Sequence, residues 1–468
     1  MTAWEALADW GSLDTWIVVT AALAAVACAL PGTFLVLRRQ SLMGDALSHA
    51  TLPGIVLAFL AFHALKEQGW IAPAWSGWIQ HGLVFVGATL TGLLCGLLTE
   101  VVIRAGKVEP SAALGVVFTS LFAFGLLLIR LAADSAHIDP GCVLYGNLET
   151  IVTDTVPVFG LLLPRAVLLN GAVLLLNLAL LIVFYKELQL TTFDAALATA
   201  LGIRASWVQV ALLACAGMTV VAAFESVGSI LVIAMLVAPP ATALLLSDRL
   251  SGVLGWSCVL GALSAIGGHI AALIGPPLLR SALGWPELGD VSTAGMIAAV
   301  SGGLCVVAWI AAPRHGLLRQ VWNRAHLRLR IVAEDLLGLL FRIEEPTHPA
   351  TGLSSVAQLA TAIQAPKWQV RWAFSELKKR GAVTMSSDGP TLTDRGRTLA
   401  QQLVRSHRLW EAYLATNFQM SNPQMHASAA KIEHYLNPQL REELAAELAQ
   451  PAVDPHGATI PPEEAARR

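Results

Sequence analysis

The chain has 468 residues, of which 55% are hydrophobic and only 13% charged, with a net charge of −2. An average soluble domain carries roughly 25% charged residues, so this composition excludes a disordered chain and argues against a simple soluble enzyme. The near-neutral balance supplies no basic field to gather nucleic acid.

The charge is also divided unevenly. Residues 1–330 hold 33 of the 62 Asp, Glu, Lys and Arg residues, and residues 331–468 hold 29. These are densities of about 10% and about 21%, which predict a bilayer part followed by a soluble part. All six cysteines (Cys28, Cys95, Cys142, Cys215, Cys258, Cys305) fall in the apolar part without paired spacing. They read as small buried hydrophobes, not as a disulfide frame.

Met1 to Asp14 contains three acidic residues and no Lys or Arg, so it lacks the basic n-region of a secretory signal. Trp16–Leu37 is then free of charge and long enough to cross ~30 Å of hydrocarbon as a helix. Similar runs at 43–65, 82–103, 111–131, 166–184, 206–224, 228–246, 252–275 and 292–312 bring the expected spans to about nine. Pro53, Pro239 and Pro240 are expected places for a helix to break within the bilayer.

Basic residues set the orientation. Arg38, Arg39, Arg104, Lys107, Lys186, Arg204, Arg249, Arg314, Arg319, Arg324, Arg328 and Arg330 fall on one side of the alternating loops. Lys66, Arg130, Arg165 and Arg280 fall on the other. The richer side is cytoplasmic by the positive-inside rule. The reading is a multi-pass protein of the cell (inner) membrane, with the amino terminus outside and the carboxy-terminal portion in the cytoplasm.

Within the second span, Asp45 and His49 are four residues apart and share one helix face. Ionisable pairs at bilayer depth are costly and tend to line a polar path, and carboxylate plus imidazole suits Mn²⁺, Fe²⁺ or Zn²⁺. Spacing alone leaves open a second reading, a cytoplasmic helix cap among the headgroups. His269, in the eighth span, and Glu225, between the sixth and seventh, are further pathway candidates. Each has a structural alternative: a helix-packing hydrogen bond and a solvated loop end. Gly87, Gly92 and Gly96 allow close helix approach.

The stretch Leu37–Gly54, LRRQSLMGDALSHATLPG, resembles the signature of the metal-specific ABC-3 permeases. Three more stretches follow in order. Lys186–Asp194, continuing through Ala198 to Gly202, is similar to that family's cytoplasmic coupling segment. Val227–Thr242 resembles its Gly- and Pro-containing later helix, and Asp290–Gly295 the start of its last helix. The resemblance spans residues 14–312. It implies a homodimeric permease docked on cytoplasmic ATP-binding subunits and fed by an extracytoplasmic metal-binding protein. It places the membrane metal site on Asp45 and His49, and ATPase coupling on Phe193, Asp194, Ala198 and Gly202. Independently, the chain contains no GxxxxGK[ST] loop, so no ATP site is expected on it, and energy must come from an ion gradient or from a partner chain, where the resemblance places ATP hydrolysis. Thr191–Ile203 reads as an amphipathic docking helix or an ordinary interfacial one.

After the last span, Arg314–Arg330 is a basic juxtamembrane stretch that suits anionic lipid. Ala333–Glu345 is then predicted as an amphipathic helix, Ser355–Ala362 and Trp368–Arg380 as two more joined by a turn, and Gly381–Thr393 as a hairpin. This is the order of a winged helix-turn-helix. Arg395–Thr416 and Gln424–Tyr435 follow as helices. They carry His407 and Glu411 at i, i+4, and His426, Glu433 and His434 at i, i+7, i+8. The alternatives are a metal constellation and solvated surface charge.

This arrangement, continuing to Pro455-His-Gly457 and Ile460-Pro461, resembles the diphtheria-toxin-repressor family of metal-dependent regulators over residues 333–462. The resemblance places ancillary metal ligands on His407, Glu411 and His426, and primary ones on Asp335, Glu433 and His434. Two departures stand out. Ala430 replaces a Cys or Glu ligand one turn before Glu433, and Trp368 and Trp372 occupy a recognition helix where small polar residues are usual. Gln369, Arg371, Lys378 and Lys379, with Arg380, are the candidate DNA contacts.

The expected architecture is an all-α polytopic membrane domain followed by a cytoplasmic winged helix-turn-helix and a helical metal-binding and dimerisation domain. The boundaries are 1–312 for the permease, 313–332 for a basic linker, 333–398 for the winged domain, 399–462 for the metal-binding domain and 463–468 for a tail. The preferred function is import of a divalent transition metal, Mn²⁺ or Fe²⁺ before Zn²⁺, coupled to cytoplasmic metal sensing. The alternatives are a membrane-tethered or released metal-dependent transcription regulator and a proton-coupled carrier.

Overall fold

A computed structural model describes residues 8–70, 76–131, 148–158, 160–283, 291–345, 355–386 and 389–463; Cys142 and Asp290 lie outside the described residues. The chain divides into two compact units, Met1–Arg319 and Gln320–Arg468.

In the first unit, nine spans among the described residues are long and apolar enough to cross a bilayer. Helix α1 (Ser12–Leu37) is followed by α2 (Leu42–Ala50) and α3 (Leu52–Glu67), which together make the second span. Then come α4 (Ser76–Gly106), α5 (Pro110–Leu131), the single turn α6 (Leu148–Ile151) and a small antiparallel hairpin, β1 (Thr155–Val158) with β2 (Leu161–Pro164). Helix α7 (Arg165–Val183) leads to two short helices, α8 (Tyr185–Phe193) and α9 (Ala195–Ala200). Four further helices complete the unit: α10 (Ala205–Val227), α11 (Ser229–Leu246), α12 (Leu250–Leu283) and α13 (Thr293–Ala311).

Helix α1 is central, packing on α7, α10, α11 and α12. Its buried face carries Thr20, Ala21, Ala24, Ala25, Ala27 and Cys28, small side chains that let backbones approach, as membrane helices require when lipid offers no hydrophobic drive for association. Buried amides and hydroxyls join the helices. Asn177 donates to Thr219 Oγ1 at 2.7 Å and to the Ala27 carbonyl at 3.2 Å. Asn170 donates to Ser226 Oγ at 3.0 Å.

The second span breaks where proline chemistry requires it. Pro53 has no N–H to offer the His49 carbonyl four residues back, and α2 ends at Ala50. Pro239 and Pro240 behave differently from expectation: α11 runs through both. Membrane helices tolerate interior proline where neighbours resatisfy the freed backbone, and both prolines are buried. At Gly54, an added Cβ would lie 2.1 Å from the Gly87 carbonyl oxygen, so only glycine permits α3 to meet α4 there.

In the second unit, the winged domain has its expected order. Ser355 caps α15 (Val356–Ile363) through a capping box with Gln358. Helix α16 (Lys367–Lys379) and the hairpin β3 (Val383–Ser386) with β4 (Gly389–Leu392) follow. Leu336, Leu340, Leu359, Val370, Leu377 and Val383 form its core. One element differs. The stretch expected as linker is helical, because α14 runs unbroken from Leu317 to Glu344; it contains no proline, and Leu, Arg and Gln favour helix. Beyond the wing lie α17 (Asp394–Asn417), capped by Thr393, α18 (Asn422–Ile432) and α19 (Pro438–Glu447).

Candidate functional sites

Helix α2 presents the first candidate. His49 Nε2 lies 3.3 Å from Asp45 Oδ1, and both side chains are part-exposed. The imidazole rests against Phe118, stacked at 6.5 Å, and edge-on to Phe122 at 5.5 Å. Two rings of α5 thus fix one side of His49, while both polar groups keep an open side. The pair sits in the short helix between Arg39, which ends the α1 turn at φ 59°, and the break at Thr51. Ser48 Oγ donates to the Asp45 carbonyl at 2.7 Å, and Thr51 Oγ1 to the Ser48 carbonyl at 2.9 Å. These two hydroxyls bond backbone carbonyls within the same short helix.

His269 is almost wholly buried, at 2% exposure. Its Nε2 lies 3.2 Å from Asp14 Oδ1, with Trp10 edge-on at 5.3 Å. The structure therefore ties His269 to the start of α1, a partnership across 255 residues that the sequence reading missed. The side chain of Glu225 lies outside the described residues, although its backbone continues α10.

The expected docking helix over Thr191–Ile203 is two helices. Asp194 ends α8 and caps α9, its carboxylate accepting from the Leu197 N–H at 2.8 Å; this is what short acidic side chains do at a helix start. Ala198 is buried, whereas Phe193 is exposed. Gly202 ends the segment at φ 84°, a left-handed conformation open to glycine.

Among the described residues, two donor clusters occur in the second unit. One ligand atom from each of His407, Glu411 and His426 lies within 4.8 Å of the others, and so do those of Asp335, Glu433 and His434. The expected single face over residues 426–434 is corrected: α18 ends at Ile432 and Glu433 forms its C-cap. The chain turns there, so His426 joins one cluster while His434 swings to the other. Glu433 stands between them, with Oε2 2.5 Å from His407 Nδ1 and Oε1 3.8 Å from His434 Nε2. His407 and Glu411 are buried on α17, with His407 Nε2 3.2 Å from Glu411 Oε1 and 3.1 Å from His426 Nδ1.

Two neighbours were not foreseen. Glu334 Oε2 lies 2.8 Å from His434 Nδ1, on the ring edge opposite Asp335, which stands 3.2 Å from Nε2. The signal for it was its place beside Asp335 on α14. His456 Nε2 approaches Glu411 to 4.0 Å. Ala430 itself is exposed and supplies no ligand.

Electrostatics match the geometry. Burial pushes the Glu411 carboxyl up, but hydrogen bonds and charge from His407 and His426 outweigh it and hold the group at about 2. Burial pulls His434 down, while hydrogen bonds with Asp335 and Glu334 outweigh it and raise the imidazole to about 9. His407 is raised in the same way by Glu411 and Glu433 against its burial. Carboxylates and imidazoles with no thiolate, gathered around shared protons, fit a divalent transition-metal ion in both clusters.

On α16, Arg371, Lys378 and Lys379 are exposed, and Gln369 is half-buried. Trp368 is exposed and Trp372 half-buried on the same helix.

Residues 13–275 match the family model of the ABC 3 transport family, and residues 393–462 that of the iron dependent repressor, metal binding and dimerisation domain. The manganese transport system membrane protein MntD of Bacillus subtilis is 38% identical over 66% of this chain and 95% of its own length. The zinc transport system membrane protein TroD of Treponema pallidum is 34% identical over 82% of this chain and 97% of its own. Among solved structures, PsaBC from Streptococcus pneumoniae in complex with Fab is similar over 68% of this chain and 98% of that one, with a TM-score of 0.51 and 24% identity. That last likeness is one of fold.

Proposed function

Since the chain belongs to the ABC 3 transport family and carries a metal-binding and dimerisation domain of the iron dependent repressor type, we propose that it is the permease subunit of an ATP-driven importer for a divalent transition metal, with its own metal sensor. The observation that carries this reading is the Asp45–His49 pair, 3.3 Å apart beside a helix break inside the second span. Such a pair gives a partly dehydrated cation one oxygen and one nitrogen donor, and its open side leaves room for a symmetric copy or water to complete the shell. Mn²⁺ or Fe²⁺ is the favoured substrate on donor chemistry, and the relatives named for manganese and zinc keep Zn²⁺ within the class.

The remaining parts follow from that role. A homodimer brings two Asp45–His49 pairs to one passage, and an extracytoplasmic binding protein delivers the ion. A cytoplasmic ATP-binding subunit docks on α8 and α9. There Phe193 offers an exposed ring, Asp194 and Gly202 fix the two ends of α9, and Ala198 keeps it close to its neighbours. The carboxy-terminal unit lies in the cytoplasm, where the two donor clusters read the imported ion. His269 and Asp14 are assigned to anchoring the outer end of α1.

The test is uptake of radioactive Mn²⁺, Fe²⁺ and Zn²⁺ in cells lacking other importers. Asp45→Ala or His49→Ala should abolish uptake while assembly with the ATP-binding subunit is retained. Unchanged accumulation would remove the pair from the path.

A further inference from the structure

The N-terminal half of α14 has no place in the expected winged domain, yet it runs beside the recognition helix. Val321, Arg324, Arg328 and Leu329, one stripe of α14, enclose a groove of about 290 Å³ with Trp368 and Gln369 at the start of α16. Further along the same two helices, His326 and Arg330 share a second cleft with Trp372 and Arg380. The two tryptophans that depart from the repressor pattern therefore face α14, the helix that a membrane attachment adds. A DNA major groove about 12 Å wide admits one α-helix of 10–12 Å diameter. With α14 alongside, the N-terminal end of α16 cannot enter it in the way such helices do.

The groove has the chemistry of a membrane surface. Arg324 and Arg328 are exposed, and neither has an ion-pair partner among the described residues. Around them Val321, Trp322 and Trp368 are 61%, 69% and 62% exposed. Exposed tryptophans interleaved with arginines are the composition of interfacial helices, with the rings at headgroup depth and the guanidinium groups on lipid phosphates. The connection to the last span is short: Val321 follows the last residue of α13, Ala311, by only ten positions.

We infer that this groove binds the phosphate headgroup of an anionic phospholipid, so that the surface used elsewhere to read DNA serves here to dock the sensor on the bilayer. The inference rests on the membrane-permease reading for its setting, although radioactive-metal uptake tests that reading separately.

The experiment is amide hydrogen exchange on the full chain in nanodiscs of phosphatidylcholine, with and without phosphatidylglycerol. Phosphatidylglycerol should slow exchange about tenfold across residues 320–329 and 367–372, the scale expected for basic residues at an anionic surface. Arg324→Gln combined with Arg328→Gln should abolish this protection and leave the exchange of α17 unchanged, which controls for folding. Equal exchange in both nanodiscs would overturn the proposal. So would equal protection by inorganic phosphate in phosphatidylcholine discs, which would make the groove a free-phosphate site. Protection by added duplex DNA with retention of that DNA would restore the recognition role and overturn it as well.

Discussion

His434 shows how one ring can hold a candidate metal site together through its own hydrogen bonds. As an imidazolium it donates through Nδ1 to Glu334 and through Nε2 to Asp335, at 2.8 and 3.2 Å, and these bonds outweigh burial to place its pKa at about 9, against 6.5 for the free side chain. The folded value lies above the unfolded one, so the stabilisation is fully present below pH 6.5 and is lost as pH rises through 9. Its size is on the order of 1–2 kcal/mol after solvent screening. In the chelator-treated chain, exchange protection around residues 432–436, corrected for intrinsic rates, should therefore decline from pH 6.5 to 9. His434→Gln should flatten that decline. An equally steep decline in the variant would assign the titration to another group.

At the scale of elements, the end of α1 is bound to the proposed docking segment by one guanidinium. Arg38 donates from Nε to Thr192 Oγ1 at 3.1 Å and from Nη2 to Thr191 Oγ1 at 2.8 Å, and its Nη1 contacts Gln209 Oε1 on α10. Gln209 in turn donates to Gln40 at 2.8 Å. Asp45 lies seven positions after Arg38, so movement of α8 has a short mechanical route to the candidate metal pair. Arg38→Gln should lower uptake roughly tenfold, the scale of about 1.4 kcal/mol of coupling, while the assembled complex still hydrolyses ATP. Parallel loss of both activities would point to failed assembly. This clamp was not legible in the sequence, since its partners lie more than 150 positions apart. The spans were legible to within a few residues because twenty apolar residues in a row are a strong physical signal. The break at Thr51 was legible from Pro53, whereas the break at Asp194, the run-through at Pro239 and the end of α18 at Ile432 were decided by local backbone bonding and tertiary packing, which hydropathy does not encode. Spacing could pair His407 with Glu411. It could not show that a turn after Ile432 would set Glu433 between two clusters.

For the whole molecule, joining a permease to a sensor changes what symmetry can do. A permease that works as a pair brings two sensor units together at high effective concentration, without requiring the sensor's own interface to be strong. On the proposed function, a detector joined covalently to the permease would sample the imported ion through the two candidate clusters. Such a detector need not contribute to translocation itself, since the candidate path through Asp45 and His49 belongs to the first unit and the clusters to the second. His434→Ala should therefore leave the initial rate of metal uptake unchanged at low external metal. At high external metal, the wild-type rate should fall as metal accumulates, and the variant should continue at its initial rate. Radioactive-metal uptake followed over both concentration ranges checks this. Complete loss of uptake at low metal would mean that the sensor unit is a structural part of the pump, because a purely regulatory cluster cannot be required when there is nothing to regulate.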